Sequence, residues 1–208
     1  MYPPLLDPRP KVGIGNHEYD HLTGGKNDPS GAPVPAGFYP AWGNYGDDSS
    51  GECGVPMFQR YTMPGSGNAL FWYAYNFAIV ATVVLSSEHN CGPDSAQFAW
   101  LEATFAAVNR SLTPWLVIEI HRPLYNSEAY KGDYDTGVGL QGCWEEAFVG
   151  AGVDLVITGH YHSYLRSMKI YKDVTDEDKG IYHFTIGSAG ASVDVAPLYV
   201  RPCFHTCP

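Results

Sequence analysis

The residues best suited to chemistry in this sequence are Asn16, His17, His121, His160 and His162, each set just after a short apolar run. In the stretch DLVITGHYHSYLR (154–166), Leu155, Val156 and Ile157 read as a buried strand that Gly159 ends. His160 and His162 follow at i, i+2, a spacing that in extended backbone sends both imidazoles to one side. Two neutral imidazoles at the mouth of a strand suit a metal ion. His121 adds a third imidazole and Asn16 a neutral carbonyl oxygen, a donor set that zinc, iron or manganese accepts. An ion held there polarises a phosphoryl oxygen and lowers the pKa of a bound water. His17 is placed to touch a substrate or protonate a leaving group, and Arg122 and Arg166 to clamp phosphate oxygens. Each residue also has a plainer role. Gly15-Asn16 is a common turn pair, His17 alone suits the surface, His121 fits a strand end, and either arginine fits a structural ion pair. The ordered set carries the metal reading.

The elements that must position these residues alternate between strands and helices. A short strand over 11–14 runs into Gly15-Asn16-His17-Glu18-Tyr19. Residues 20–67 are rich in Gly, Pro, Asn, Asp and Ser and read as a long functional loop packed by its own aromatics, Phe38, Tyr39, Trp42 and Tyr45. Strands are predicted over 69–75 and 77–85, with Asn76 as the break between them. Phe98, Leu101, Phe105 and Val108 recur at helical spacing over 93–109, after Asp94 or Ser95 as cap. A buried strand over 115–120 delivers His121-Arg122-Pro123, a helix covers 141–150, and a strand over 153–158 leads to His160. Strands over 169–172 and 181–186 flank an acidic turn at 173–179, and 187–190 is a turn. The pattern predicts an α/β sheet with its site along one edge.

Composition excludes several partners. A hydrophobic fraction of 45% with only 16% charged residues describes a folded chain, and 208 residues suffice for one substantial core. A net charge of -10 without a basic cluster argues against nucleic acid or an anionic membrane surface, though a metal ion reverses potential locally and leaves phosphate esters open. No apolar run reaches membrane-spanning length, and MYPPLLDPRP lacks the basic start, apolar stretch and cleavage site of a signal peptide. Five cysteines without a CxxC pair exclude a zinc ribbon and permit at most two disulfides. Asn109-Arg110-Ser111 is a glycosylation sequon, meaningful in a secreted protein.

GNHE at 15–18, VIEIH at 117–121 leading into RPLYNS, and GHYHSYLR at 159–166 resemble the last three motifs of the calcineurin-like metallophosphoesterases, and more closely the purple acid phosphatases. The similarity extends through NHEYDHLTGG, WGNYGDDSSGECGVP, FWYAYNFAIV and WLEATFAAVNRSLTPWLVIEIHRPLY, from about residue 12 to 190. The resemblance implies a two-metal site that hydrolyses phosphate monoesters with a metal-bound hydroxide, and a secreted or vacuolar compartment. By the motif match, Asn16, His121 and His160 hold the second, divalent metal (Zn, Mn or Fe). His162 holds the first, typically Fe(III), and His17 gives a proton on the substrate side.

The family's first two motifs, which supply two aspartates and a tyrosine, are not found: the residues before Gly15 contain only Asp7 and no GDxG or GDxxY. Leu165 stands where relatives often have Glu, and no His follows RPLYNS. The expected architecture is therefore an incomplete α/β metallophosphoesterase sandwich, two β-sheets flanked by helices, lacking the first strand–helix units. Residues 1–11 form an arm, 12–190 the partial catalytic domain and 191–208 an irregular tail. Two functions stay open. One is a phosphatase impaired in its first metal site, with Tyr19, Asp20, Asp133 and Asp135 as replacement ligands that no spacing recommends. The other is a non-catalytic structural or interaction subunit that binds one metal or none, with a protein partner covering the truncated sheet edge.

Overall fold

The computed structural model describes residues 10–19, 54–64, 67–68, 70–127 and 133–190. Their elements are α1 (Val55–Arg60), β1 (Tyr73–Phe77), β2 (Val80–Leu85), α2 (Ala96–Ala107), β3 (Trp115–Ile120), α3 (Asp133–Ala151), β4 (Leu155–Thr158), β5 (Tyr164–Arg166), β6 (Ile170–Tyr171), β7 (Val174–Thr175) and β8 (Tyr182–Ile186). Six strands form one sheet in the order β1-β2-β3-β4-β8-β5, and β6 and β7 form a separate two-stranded sheet. The centre is parallel, with β2, β3, β4 and β8 running together, while β1 and β5 are antiparallel at the two ends. This is the expected α/β architecture.

The central strands are β-branched and apolar, and successive residues face opposite sides of the sheet. Ala81, Val83, Leu85, Leu116, Ile118, Ile120 and Val156 share one face and are all buried in a cluster with Leu101 of α2 and Leu140, Trp144 and Phe148 of α3. Phe105 and Phe148 meet edge to face, which joins the two helices over that face. Among the described residues the opposite face is more exposed. Its register rows carry Phe77, Trp115, Ile186 and Tyr164, which are 50–64% exposed.

Several local expectations are corrected. The strand over 11–14 does not form among the described residues: the Val12 carbonyl instead accepts from Tyr73 Oη at 2.9 Å. Asn76 is not a break but pairs with Ala81 inside the hairpin, and the turn falls at Ala78, where φ is 50°. The helix expected over 141–150 begins at Asp133, although Gly137 discourages helix on propensity alone. A Cβ at Gly137 would lie 2.8 Å from the Leu124 carbonyl oxygen, so glycine is what lets the helix approach that loop. Finally, α1 lies inside the expected loop, started by Gly54 at φ 72° and a proline in the first turn. The acidic turn at 173–179 contains β7, which pairs with β6. Most of the arm, the tail and the loop aromatics Phe38, Tyr39, Trp42 and Tyr45 lie outside the described residues.

Candidate metal centre

Parallel strands end at a common edge, and here Leu85, Ile120 and Thr158 stand in one register row. The residues just past each strand end are therefore brought together: Ser86 to His89 after β2, His121 and Arg122 after β3, Gly159 and His160 after β4. The fourth contribution is the Gly15–Tyr19 turn. Its ends are tied by Glu18 and Tyr19 N–H groups donating to the Gly15 carbonyl at 3.1 and 3.2 Å, and by Gly15 N–H donating to Glu18 Oε2 at 3.0 Å. That reciprocal arrangement resembles a helix capping box, with glycine in the cap position. It buries Asn16 and leaves His17 exposed.

Three donor atoms converge at this edge. Asn16 Oδ1 lies 2.8 Å from His121 Nε2 and 3.2 Å from His160 Nδ1, and the two ring nitrogens are 3.1 Å apart. The rings meet edge to face with centroids 5.0 Å apart. His160 reaches this position with φ 68°, a left-handed conformation that a non-glycine residue adopts at a cost of about 1–3 kcal/mol and that clusters at functional sites. His121 is held neutral. Loss of hydration pushes its pKa down to about 3 against the opposing pull of Glu88, with His160, Arg122 and His17 adding to the depression.

The triangle fits a metal ion. Asn16 Oδ1, His121 Nε2 and His160 Nδ1 lie within 2.8–3.2 Å of one another, and one carbonyl oxygen with two imidazole nitrogens is a donor set that a zinc, manganese or iron ion would accept. Among the described residues no three His, Cys, Asp or Glu side chains form such a group, so the asparagine amide is what completes the set.

Not every expected site residue joins it. His17 is exposed beside the triangle, and His162 is half-buried two residues beyond His160. The sequence suggests a phosphate clamp for Arg122, but its guanidinium is buried, with Nε donating to Glu88 Oε1 at 2.8 Å. Arg166 is exposed and lies over the Phe184 ring at 5.9 Å. Its register partner is Phe184, itself beside Ile157, so Arg166 sits two strands away from β4 and short of the edge row.

Sequence reasoning missed the polar layer behind the triangle. Burial alone would push the Glu88 carboxyl up, but the Arg122 guanidinium, His121 and Ser87 outweigh it and hold it below the usual carboxylate range. Ser87 Oγ donates to Glu88 Oε1 at 2.7 Å and accepts from Arg122 N–H at 3.2 Å. Gln97 of α2 braces the same segment, accepting from Ser86 N–H at 2.8 Å and donating to its carbonyl at 3.1 Å. His89 packs among Tyr19, Phe71 and Trp72 at centroid distances of 4.1, 5.0 and 5.2 Å, which locks the Gly15–Tyr19 turn to this segment. The available signal was a carboxylate, Glu88, three residues past an apolar strand whose end shares an edge with His121.

With that geometry in hand, the comparisons with known proteins decide the family. The calcineurin-like phosphoesterase family matches residues 9–164. The chain belongs to that family. It is 37% identical over 163 residues to purple acid phosphatase 1 of Ipomoea batatas, covering 71% of this chain and 34% of the relative. It is 30% identical over 196 residues to probable inactive purple acid phosphatase 27 of Arabidopsis thaliana, covering 86% and 29% respectively. Among solved structures, a purple acid phosphatase from yellow lupin (Lupinus luteus) seeds superimposes with a TM-score of 0.68 at 25% identity, over 90% of this chain and 32% of that one. The chain thus spans about a third of the length of these relatives.

Proposed function

We propose that this phosphoesterase chain carries a one-metal half-site, holding a divalent zinc, manganese or iron ion through Asn16 Oδ1, His121 Nε2 and His160 Nδ1. The supporting observation is the mutual closeness of these atoms, 2.8–3.2 Å, with His121 held neutral. A bound ion supplies Lewis acidity toward a phosphoryl oxygen. In this reading His17 protonates the leaving group of a phosphate monoester, and His162 faces a first, ferric site that the residues of the half-site leave incomplete. Arg122 acts from behind the ligands, and Arg166, over Phe184, stands outside the site. The test is titration of the chelator-treated chain with Co2+, followed by its visible absorption. One equivalent is expected, lost in His121→Ala and in His160→Ala; equal binding by either variant overturns the reading.

A second reading, a non-catalytic subunit with a protein partner over the open sheet edge, is favoured by the longer match to the relative named probable inactive, 86% of this chain against 71%. Phosphatase assay of the Co2+- or Zn2+-loaded chain separates the two: turnover lost in His121→Ala supports the first, and metal binding without turnover the second. A secreted or vacuolar setting belongs to both readings, supported by the Cys91–Cys143 disulfide and by an exposed Asn109 in its sequon.

A further inference from the structure

The strand ends that carry the half-site carry a second feature on the same face of the sheet. Ile120 pairs with Thr158 and Thr158 with Thr185, and all three are buried on the helix-covered side. Their successors therefore face the more exposed side. The Gly159 N–H donates to the His121 carbonyl at 2.9 Å, and Ile186 pairs with Tyr164. One row thus runs His121, Gly159, Ile186, Tyr164 across four strands that are neighbours in the sheet.

The row is uneven. Gly159 has no side chain, and a Cβ built there would meet, among the described residues and its chain neighbours aside, only His121, with Nδ1 at 3.6 Å and the carbonyl oxygen at 3.9 Å. Beyond this bare position stand Ile186, 50% exposed, and Tyr164, 64% exposed. Strands lie about 4.8 Å apart, so Ile186 stands about 10 Å from His121 along the row, with only the glycine between them. That leaves room for one flat ring. The Tyr164 ring is not loose: it meets Phe184 edge to face with centroids 6.5 Å apart, and the Arg166 guanidinium lies 5.9 Å from the same Phe184 ring. An ester whose phosphoryl end lies at the metal-ligand triangle can lay its organic end along this row, where apolar carbon takes it out of water.

We propose that Ile186 and Tyr164 are specificity-determining residues of the half-site, forming a shelf across Gly159 that takes the flat, apolar organic group of a phosphate monoester, an aryl ester in preference to a small or sugar-like one. The proposal rests on the half-site reading above and names the substrate class of that same site.

The probes are phenylphosphonate and methylphosphonate, which share an anionic head, differ in their organic group and are not turned over. Calorimetric titration into the Co2+-loaded full chain is expected to show phenylphosphonate binding about tenfold more tightly, the order that covering one face of a ring supplies. Ile186→Thr combined with Tyr164→Thr, which keeps strand-forming side chains at one position and a β-branched one at both, is expected to erase that preference. Equal binding of the two phosphonates, or a preference that survives in the folded double variant, overturns the shelf. If the double variant does not fold, the contact is read in the unsubstituted Zn2+-loaded chain by nuclear Overhauser effects from the phenyl protons to the Ile186 δ1 methyl, which is assigned by its loss in Ile186→Val. Their presence supports the shelf and their absence overturns it. A chain that takes up no Co2+, or that binds neither phosphonate once loaded, removes the half-site reading and the shelf with it, whereas equal binding of both removes the shelf alone.

Discussion

Gly15 lies so close to the imidazole of His121 that a Cβ at residue 15 would come within 2.7 Å of the ring's Cε1 and 2.8 Å of both ring nitrogens. Gly159 also lies against His121, its N–H donating to the His121 carbonyl at 2.9 Å, so the ring is bordered by two glycines while it contacts Asn16. Gly15→Ala is therefore expected to weaken Co2+ binding by about tenfold or more and to destabilise the fold by about 1–3 kcal/mol. Titration and denaturant unfolding check the two effects. The control is Gly142→Ala in α3, where an added Cβ meets nothing within 4 Å. That variant should keep its metal affinity and gain about 0.4–1 kcal/mol.

The Cys91–Cys143 disulfide ties the segment after β2 to α3 across a sequence separation of 52. Closing a loop of that length removes unfolded-state freedom worth about 4 kcal/mol. The double variant Cys91→Ser, Cys143→Ser is expected to melt about 10 °C lower. Because Glu88 and His89 belong to the same segment, the loss should also show as faster amide exchange at residues 86–90. Unaltered melting would mean that the segment is held by Gln97 and the aromatic packing alone.

How much of the molecule was legible in the sequence depends on which forces placed each part. The apolar runs at 115–120 and 153–158 are short and end at glycine or a polar residue, so they read as buried strands, and their parallel pairing sets the edge at which His121 and His160 emerge. The helix over Ala96–Ala107 was legible from its spacing and its cap. Tertiary contacts decided the rest. Gly137 reads as a breaker until the Leu124 carbonyl is seen beside it, and Arg122 reads as a phosphate ligand until Glu88 is seen beneath it. Glu88 and Arg122 are 34 residues apart and have no shared periodicity, so only the parallel pairing of β2 with β3 brings them together.

Ser95 caps α2, its Oγ accepting from Phe98 N–H at 3.0 Å. No acidic residue in the first turn shares that task. Ser95→Ala is expected to cost about 1 kcal/mol, lowering the melting temperature by about 2–4 °C, while Ser95→Asp retains stability. Since α2 carries Gln97, which braces Ser86, a frayed first turn should also broaden the NMR signals of Ser86 and Ser87. Equal melting of the alanine variant would assign the helix start to packing of Leu101 rather than to its cap.

His183 on β8 gives the protein an acid-sensitive core. The ring is fully enclosed, lies edge to face on Tyr125 with centroids 4.8 Å apart, and its Nδ1 has no hydrogen-bond partner among the described residues. Burial pushes its pKa down to about 3 from an ordinary 6.5. Between those values the unfolded chain binds a proton that the folded chain refuses, so stability rises with pH across the window. The contribution is fully present above about pH 6.5 and is lost progressively as pH falls toward 3. His121 adds a slope of the same sign over the same window. Replacing His183 by leucine removes one titrating group without leaving a bare polar atom, and is expected to flatten the urea-midpoint profile between pH 7 and 5 by one proton's share. A variant whose profile stays as steep as that of the unsubstituted chain would mean that His183 takes up its proton without unfolding the core.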